Sequence, residues 1–432
     1  MITPLLGGCI IELGTGHDQS AGGETPSSGG GGSGSGGEPG LTGAQQARKD
    51  EADRYIAQVI YKGATVTQSL QLASGDIVDG LDRSTFPDLP SPLPLLPSLP
   101  ADVMLPSDVT LALLDVDQIP ELSDLASTAA VFHRPTFWPY ILGETDATSI
   151  TDYLARYEVS GAPVGNRLYA GLVSDQANRG VSGYMNQFKP AVAAGSLSIL
   201  EFTVGCPALN PTEMVGVVLS VDRYNVGGRN PQGVFDGLPR LHVEYANSKS
   251  GKMKYMWDEL DGTFVANPIR RVRPGQIVPV SVLGGAQVEH LLTIFQVPTG
   301  DWWIAYGLNL LGYYPASLFT TLNGVACESR WYAEVYNPAP KAPDGTGQAV
   351  KTEMGSGKFA AVGRPNVAYV RNPKYYDPAW FSVEPKDLIF AKPVEESCYT
   401  RSKVDPDPVS GDSFLPLGGP GGKDPGCKWP FP

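Results

Sequence analysis

The chain has 432 residues, 42% of them apolar and 18% charged, enough to build a sizeable core and to exclude wholesale disorder. Its 51 glycines and 39 prolines make about a fifth of the residues, against a usual ~12%, which excludes a fold dominated by long helices. The net charge of −13 argues against a nucleic-acid partner, because phosphate binding needs a basic footprint.

Near the N-terminus, Leu6-Gly7-Gly8-Cys9 resembles a bacterial lipobox and makes Cys9 a lipidation candidate. The Gly/Ser-rich remainder of 1–43 reads as a flexible tether. Together they imply an extracellular or cell-surface protein, with any membrane attachment through the N-terminus alone. No run of about 18 apolar residues occurs, so no membrane-spanning helix is expected. Residues 44–61 predict a short amphipathic helix with Tyr55, Ile56, Val59 and Ile60 on one side. Short strands follow, and then a Pro-Leu-rich extended spacer over 87–106. Residues 44–110 thus form a small N-terminal segment, joined by 111–165 to a main domain over 166–432. In that domain, runs such as GSLSILEFTV, MVGVVLSV, RLHVEYAN, HLLTIFQV, DWWIAYGL and RWYAEVYN alternate with Gly/Pro/Asn/Asp turns. This texture predicts an all-β sandwich or barrel.

The common catalytic patterns are missing. There is no C-x-x-C, no H-E-x-x-H and no G-x-S-x-G, and the four histidines are scattered. Carboxylates remain. Alternation places Tyr332, Glu334 and Tyr336 on one strand face, and Glu213 with Val215, Val217 and Leu219 on another. A glutamate among aromatics or aliphatics is desolvated, which raises its pKa, and a second carboxylate nearby raises it further. Two carboxyls sharing a proton can activate water and protonate a leaving amine. More commonly, a glutamate in a strand lies at a solvated end or in an ion pair. Arg270-Arg271-x-Arg273 reads as a solvated basic face.

Four stretches resemble the neprosin family of secreted, proline-directed glutamic endopeptidases. They are Asp301-Trp302-Trp303-Ile304 through Gly312-Tyr313-Tyr314-Pro315 to Phe319; Trp331 to Val335 with Thr352-Glu353-Met354-Gly355-Ser356-Gly357; Tyr169-Ala170-Gly171 and Gly195 to Ser198 with Leu209 to Glu213; and Gly418-Gly419-Pro420-Gly421 before Cys427. Gly75 to Asp79 is similar to part of the family's activation peptide. The resemblance implies two stacked antiparallel sheets, a pro-segment covering a groove until acid removes it, and catalytic glutamates at Glu213 and Glu334. It also implies a peptide or protein substrate, proline-rich in the family's manner, and no metal or organic cofactor. The chain departs from the family pattern at Tyr332 and Ala333, before the second glutamate, and at Met214-Val215-Gly216, after the first.

Cys398 and Cys427 flank a Pro/Gly-rich tail, and a disulfide between them would contribute about 3 kcal/mol. Cys206 and Cys327 each precede their glutamate by seven residues. If the two glutamates lie opposite one another on antiparallel strands, these cysteines are too far apart to bond, whereas parallel strands would bring them together; the expectation is no 206–327 bridge. Trp303, Tyr313, Tyr314, Tyr332 and Tyr336 are the substrate-groove candidates. The rival reading is a non-catalytic sandwich that binds glycans or Pro-rich chains through this aromatic trough.

Overall fold

The computed structural model describes residues 41–72, 76–85, 93–97, 109–112, 120–135, 137–155, 158–159, 167–194, 196–206, 213–222, 236–247, 253–258, 260–336, 351–386, 388–390, 396–402, 404–406, 412–424 and 427. Cys9, nearly all of the tether and most of the Pro-Leu-rich spacer lie outside the described residues.

The N-terminal helix α1 spans Gly43–Tyr55 and continues as a π turn over Ile56–Ile60. It starts at Thr42, where a reciprocal capping box with Gln45 satisfies two of the orphan donors of the first turn. The short strands expected next are β1 (Val66–Gln71) and β2 (Ile77–Asp82), and β3 is Val109–Leu111. Helix α2 (Pro120–Thr128) leads into β4 (Ala129–His133). It packs on β2 where Gly80 leaves room, since a Cβ there would lie 2.2 Å from Leu125 Cδ1. Strands β1, β2 and β4 form a three-stranded sheet. Helices α3 (Trp138–Leu142) and α4 (Ile150–Ala155) complete the segment.

Two large sheets follow, as the sandwich reading expects. The remaining strands are β5 (Glu158–Val159), β6 (Arg167–Ser174), β7 (Gly180–Asn186), β8 (Leu197–Cys206), β9 (Glu213–Asp222), β10 (Arg240–Asn247), β11 (Met253–Trp257), β12 (Val265–Ala266), β13 (Gln287–Gln296), β14 (Trp302–Tyr306), β15 (Asn309–Tyr314), β16 (Glu328–Tyr336), β17 (Ala368–Tyr376), β18 (Ser382–Val383), β19 (Leu388–Phe390), β20 (Thr400–Arg401), β21 (Asp405–Pro406) and β22 (Ser413–Gly418). The first sheet runs β19-β6-β16-β8-β9-β10-β11-β5, and the second is centred on β14-β13-β7-β17-β22. Strand β3, which crosses the expected 110/111 boundary, pairs parallel with β13, so the N-terminal segment contributes a strand to the second sheet. β5 likewise extends the first sheet.

Between the sheets lie Leu200, Phe202, Val204, Val215, Val217, Leu219, Trp302 and Trp331. The Trp331 indole donates to Ser182 O of β7 at 3.2 Å, tying the sheets together. Every residue of β6, β8, β9 and β10 is buried. The first sheet is therefore covered on both faces, unlike an antiparallel sheet with one face in water. On its outer face Arg240 meets Asp76 of the N-terminal segment at 3.5 Å. The Arg270 guanidinium lies 4.4 Å over the Phe132 ring. Arg270 and Arg273 are buried, so the basic cluster is not the solvated face expected of it. Burial beside Arg270 pushes Arg273 down to about 10, and the nearby Asp76 opposes that shift.

Both cysteine pairs are disulfides. The Cys398–Cys427 bond agrees with the sequence reading. The Cys206–Cys327 bond corrects it. The end of β8 meets the start of β16, with Glu328 opposite Gly205, so the cysteines are neighbours and the two glutamates do not face each other. This bridge spans 121 positions of chain. Replacing Cys206 and Cys327 together by alanine should cost about 2–5 kcal/mol of stability in chemical denaturation, whereas a loss below about 1 kcal/mol would show that the bridge constrains little.

Candidate active site

Strand register decides which side chains meet, because directly paired residues share a face and alternate residues repeat it. On β16, Tyr332 pairs with Glu201 of β8 and Gly171 of β6, while Glu334 pairs with Tyr169. On β10, Glu244 pairs with Gly216 of β9, which pairs with Thr203 of β8. Glu201, Glu244, Glu334, Tyr169 and Tyr332 therefore crowd one outer face. Glu201, Glu244 and Glu334 are 1%, 0% and 3% exposed. Gly216 is necessary to this arrangement, since a Cβ there would fall 2.7 Å from both Cγ and Oε1 of Glu244. The Glu244 side chain thus lies across β9 towards β8, where its carboxyl adds to the upward shift of Glu201. Two carboxyls buried this close favour retaining a proton over ionising both.

The environments of Glu201 and Glu334 differ. Burial pushes Glu201 well above the usual carboxylate range, and the charges of Glu244 and Glu334 add to this, while the Tyr332 hydroxyl opposes it. Burial also raises Glu334, but Arg167 counters it by charge and hydrogen bond, and the Tyr169 hydroxyl donates to it as well. The Arg167 guanidinium is itself seated 5.2 Å over the Tyr336 ring. Tyr169 and Tyr332 pack edge to face at 5.7 Å. Their phenols are raised by burial, which keeps them protonated as donors.

Glu213 does not join this cluster, which corrects the expected pairing with Glu334. It pairs with Cys206, whereas Glu334 pairs with Ile199, seven positions along β8 and on the opposite face. The separation along the strand is roughly 23 Å. Its carboxylate accepts the amides of Thr320, Thr321 and Leu322 at 2.6, 2.7 and 2.8 Å, closing the turn after β15 at one end of the sandwich. The aromatic candidates divide too. Tyr332 and Tyr336 flank the carboxyl cluster. Tyr314 is core, against Tyr245 and Phe264. Trp303 and Tyr313 stack at 4.8 Å on the outer face of the second sheet, because alternation turns them away from the core that holds Trp302.

The sequence reading missed Glu201 and Glu244. Each is a lone acid in the middle of an apolar run, SILEFTV and LHVEYAN, the same signal that singles out Glu334. Among the described residues, no cluster of histidine, cysteine or carboxylate side chains could hold a metal ion.

Residues 225–420 match the family model Neprosin, a stretch that includes Glu244 and Glu334. Among solved structures, the chain is similar to a scytalidoglutamic peptidase with a peptide-based transition-state analogue, at 7% identity and a TM-score of 0.27, covering 58% of this chain and 98% of that one. It is also similar to SCP-B, of the eqolisin family, in complex with the tripeptide Ala-Ile-His, at 7% identity and a TM-score of 0.28, covering 59% and 98%.

Because folding raises Glu201 and Glu334, the folded chain binds more protons than the unfolded one above the ordinary carboxylate range. Stability should then fall as pH rises through and beyond that range. Glu201→Gln should make the drop in thermal midpoint between pH 5 and pH 7 shallower than in the wild type; equal slopes would mean that Glu201 ionises normally.

Proposed function

We propose, from the Neprosin match over 225–420, that this protein is a glutamic-type peptidase whose active site is the Glu201–Glu244–Glu334 cluster. The observation that carries the site assignment is three carboxyls buried on one face, with environments that separate an acid from a base. Divergent carboxyl environments mark acid and base roles. Glu334, held by Arg167 and Tyr169, is the ionised member and takes a proton from water, which attacks the scissile carbonyl carbon. Glu201 is the protonated member. It polarises the carbonyl oxygen and then delivers its proton to the leaving amine. Glu244 shares the Glu201 proton and keeps it bound at higher pH. Glu201 and Glu334 are diagonal neighbours on adjacent strands, a spacing of about 7–8 Å between Cα atoms that leaves room for a water between their carboxyls.

The substrate is a peptide, with proline rings accommodated by the Tyr169, Tyr332 and Tyr336 walls. The N-terminal segment makes the chain a zymogen in this reading. Asp76 bridges to Arg240, on the same face of β10 as Glu244, and lies near His133 at 3.4 Å. The two disulfides favour an oxidising, exported location. Lipidation at Cys9 would tether the protein at a membrane surface.

Glu201→Gln and Glu334→Gln should each lower kcat on a proline-containing peptide by about 10²–10⁴-fold. Glu244→Gln should shift the alkaline limb of the pH profile to lower pH, since it withdraws a negative charge from Glu201. Glu213→Gln should leave kcat within about two-fold and cost about 1–3 kcal/mol of stability. Wild-type turnover by Glu334→Gln, or loss of chemistry only in a well-folded Glu213→Gln, would overturn the assignment. Asp76→Asn should hasten release of the N-terminal segment at acid pH, measured by gel; an unchanged rate would mean that the Asp76 contacts do not retain it.

A further inference from the structure

On the outer face of the second sheet, remote from the carboxyls, Phe295, Trp303 and Tyr376 form a separate apolar cluster ringed by Val297, Leu310, Tyr313 and Trp380. Lying on it is part of the protein's own Pro-Leu-rich stretch. Residues 93–97 (Leu-Pro-Leu-Leu-Pro) form neither helix nor strand. Leu93 and Leu96 pack into the cluster, while Leu95 between them is 91% exposed. Leucines three apart thus anchor a chain whose prolines bar it from pairing as a sheet strand.

Two features distinguish this surface from plain packing. The indole N–H of Trp303 is fully buried beneath it and has no acceptor among the described residues. Trp380 adopts a φ of +71°, costly for a bulky residue, and is fixed there from several sides. Asp377 accepts the amides of Ala379 and Phe381 at 2.9 Å through its side chain and that of Trp380 at 2.8 Å through its carbonyl. The Arg179 guanidinium lies 5.3 Å over the indole ring and is anchored on Pro378 O and on Gln296. Next to Trp380, Phe381 is 69% exposed. An aromatic shelf with a spare indole donor suits an extended proline-rich peptide, which presents unpaired carbonyls and ridged apolar side chains.

We propose that this face is a docking site for extended Leu/Pro-rich peptides, occupied in cis by residues 93–97 and opened to a second chain when they leave. It lies on the other sheet from the Glu201–Glu244–Glu334 cluster, and binding there is independent of the peptidase reading. A tethered occupant competes at high effective concentration. A fluorescent peptide copying residues 89–100 should therefore bind the full chain carrying Leu93→Ser and Leu96→Ser at least ten-fold more tightly than it binds the wild type. Fluorescence anisotropy at neutral pH, with mass spectrometry to show that the peptide stays intact, reads this directly. Adding Trp380→Ala to the vacated chain should weaken binding at least ten-fold, and so should Tyr313→Ala, which spares the Asp377 turn. Hydrogen exchange should place peptide protection on 302–306 and 376–381. The proposal is overturned if the vacated chain binds no better than the wild type, if both aromatic variants bind as well as their parent, or if protection falls on β8 and β16.

Discussion

Three carboxyl groups within one buried patch cannot all carry charge, because each anion loses its hydration and repels the others. Burial and the neighbouring Glu244 hold Glu201 well above the usual carboxylate range, which favours a retained proton, while Arg167 compensates the charge at Glu334. Much of the surrounding construction serves this compromise. Gly216 yields the space through which Glu244 reaches its partner, Tyr332 and Tyr169 supply hydroxyl donors, and Tyr336 seats the arginine. Raised carboxyls favour the protonated patch, so the stability of the fold is linked to acidity.

The same desolvation makes the covering of the face consequential. The first sheet is dry on both sides, with the second sheet against one and Asp76 reaching Arg240 on the other. The N-terminal region is bound in by more than surface contact, since β5 forms one edge of the first sheet and β3 pairs with the interior strand β13 of the second. Its apolar residues, including Ile56, Phe132, Phe137 and Tyr153, belong to the same core as the sandwich strands.

Much of the architecture was legible in the sequence because it rests on local patterns. The first helix, the early strand pair and the two-residue alternation of the main domain all appear where periodicity and turn residues put them. Glu334 with Tyr332 and Tyr336 was legible for the same reason. What failed was the pairing between distant strands. Register across β8, β9 and β16 is set by long-range contacts, and it is register that sends Glu213 to the core-facing side and brings Cys206 to Cys327. A glutamate that caps a turn and one that shares a proton look alike in sequence, since both interrupt an apolar run. Trp302 and Trp303 show the limit again. Adjacent in the chain, they serve opposite faces, one in the core and one beneath the Pro-Leu-rich stretch.

The Cys206–Cys327 bond encloses more than a quarter of the chain, including the segments between β8 and β9 and between β9 and β10. A scission anywhere inside that loop leaves both fragments covalently joined. Nicking there would be silent in non-reducing gels, and the two fragments would stay tethered where the end of β8 meets the start of β16.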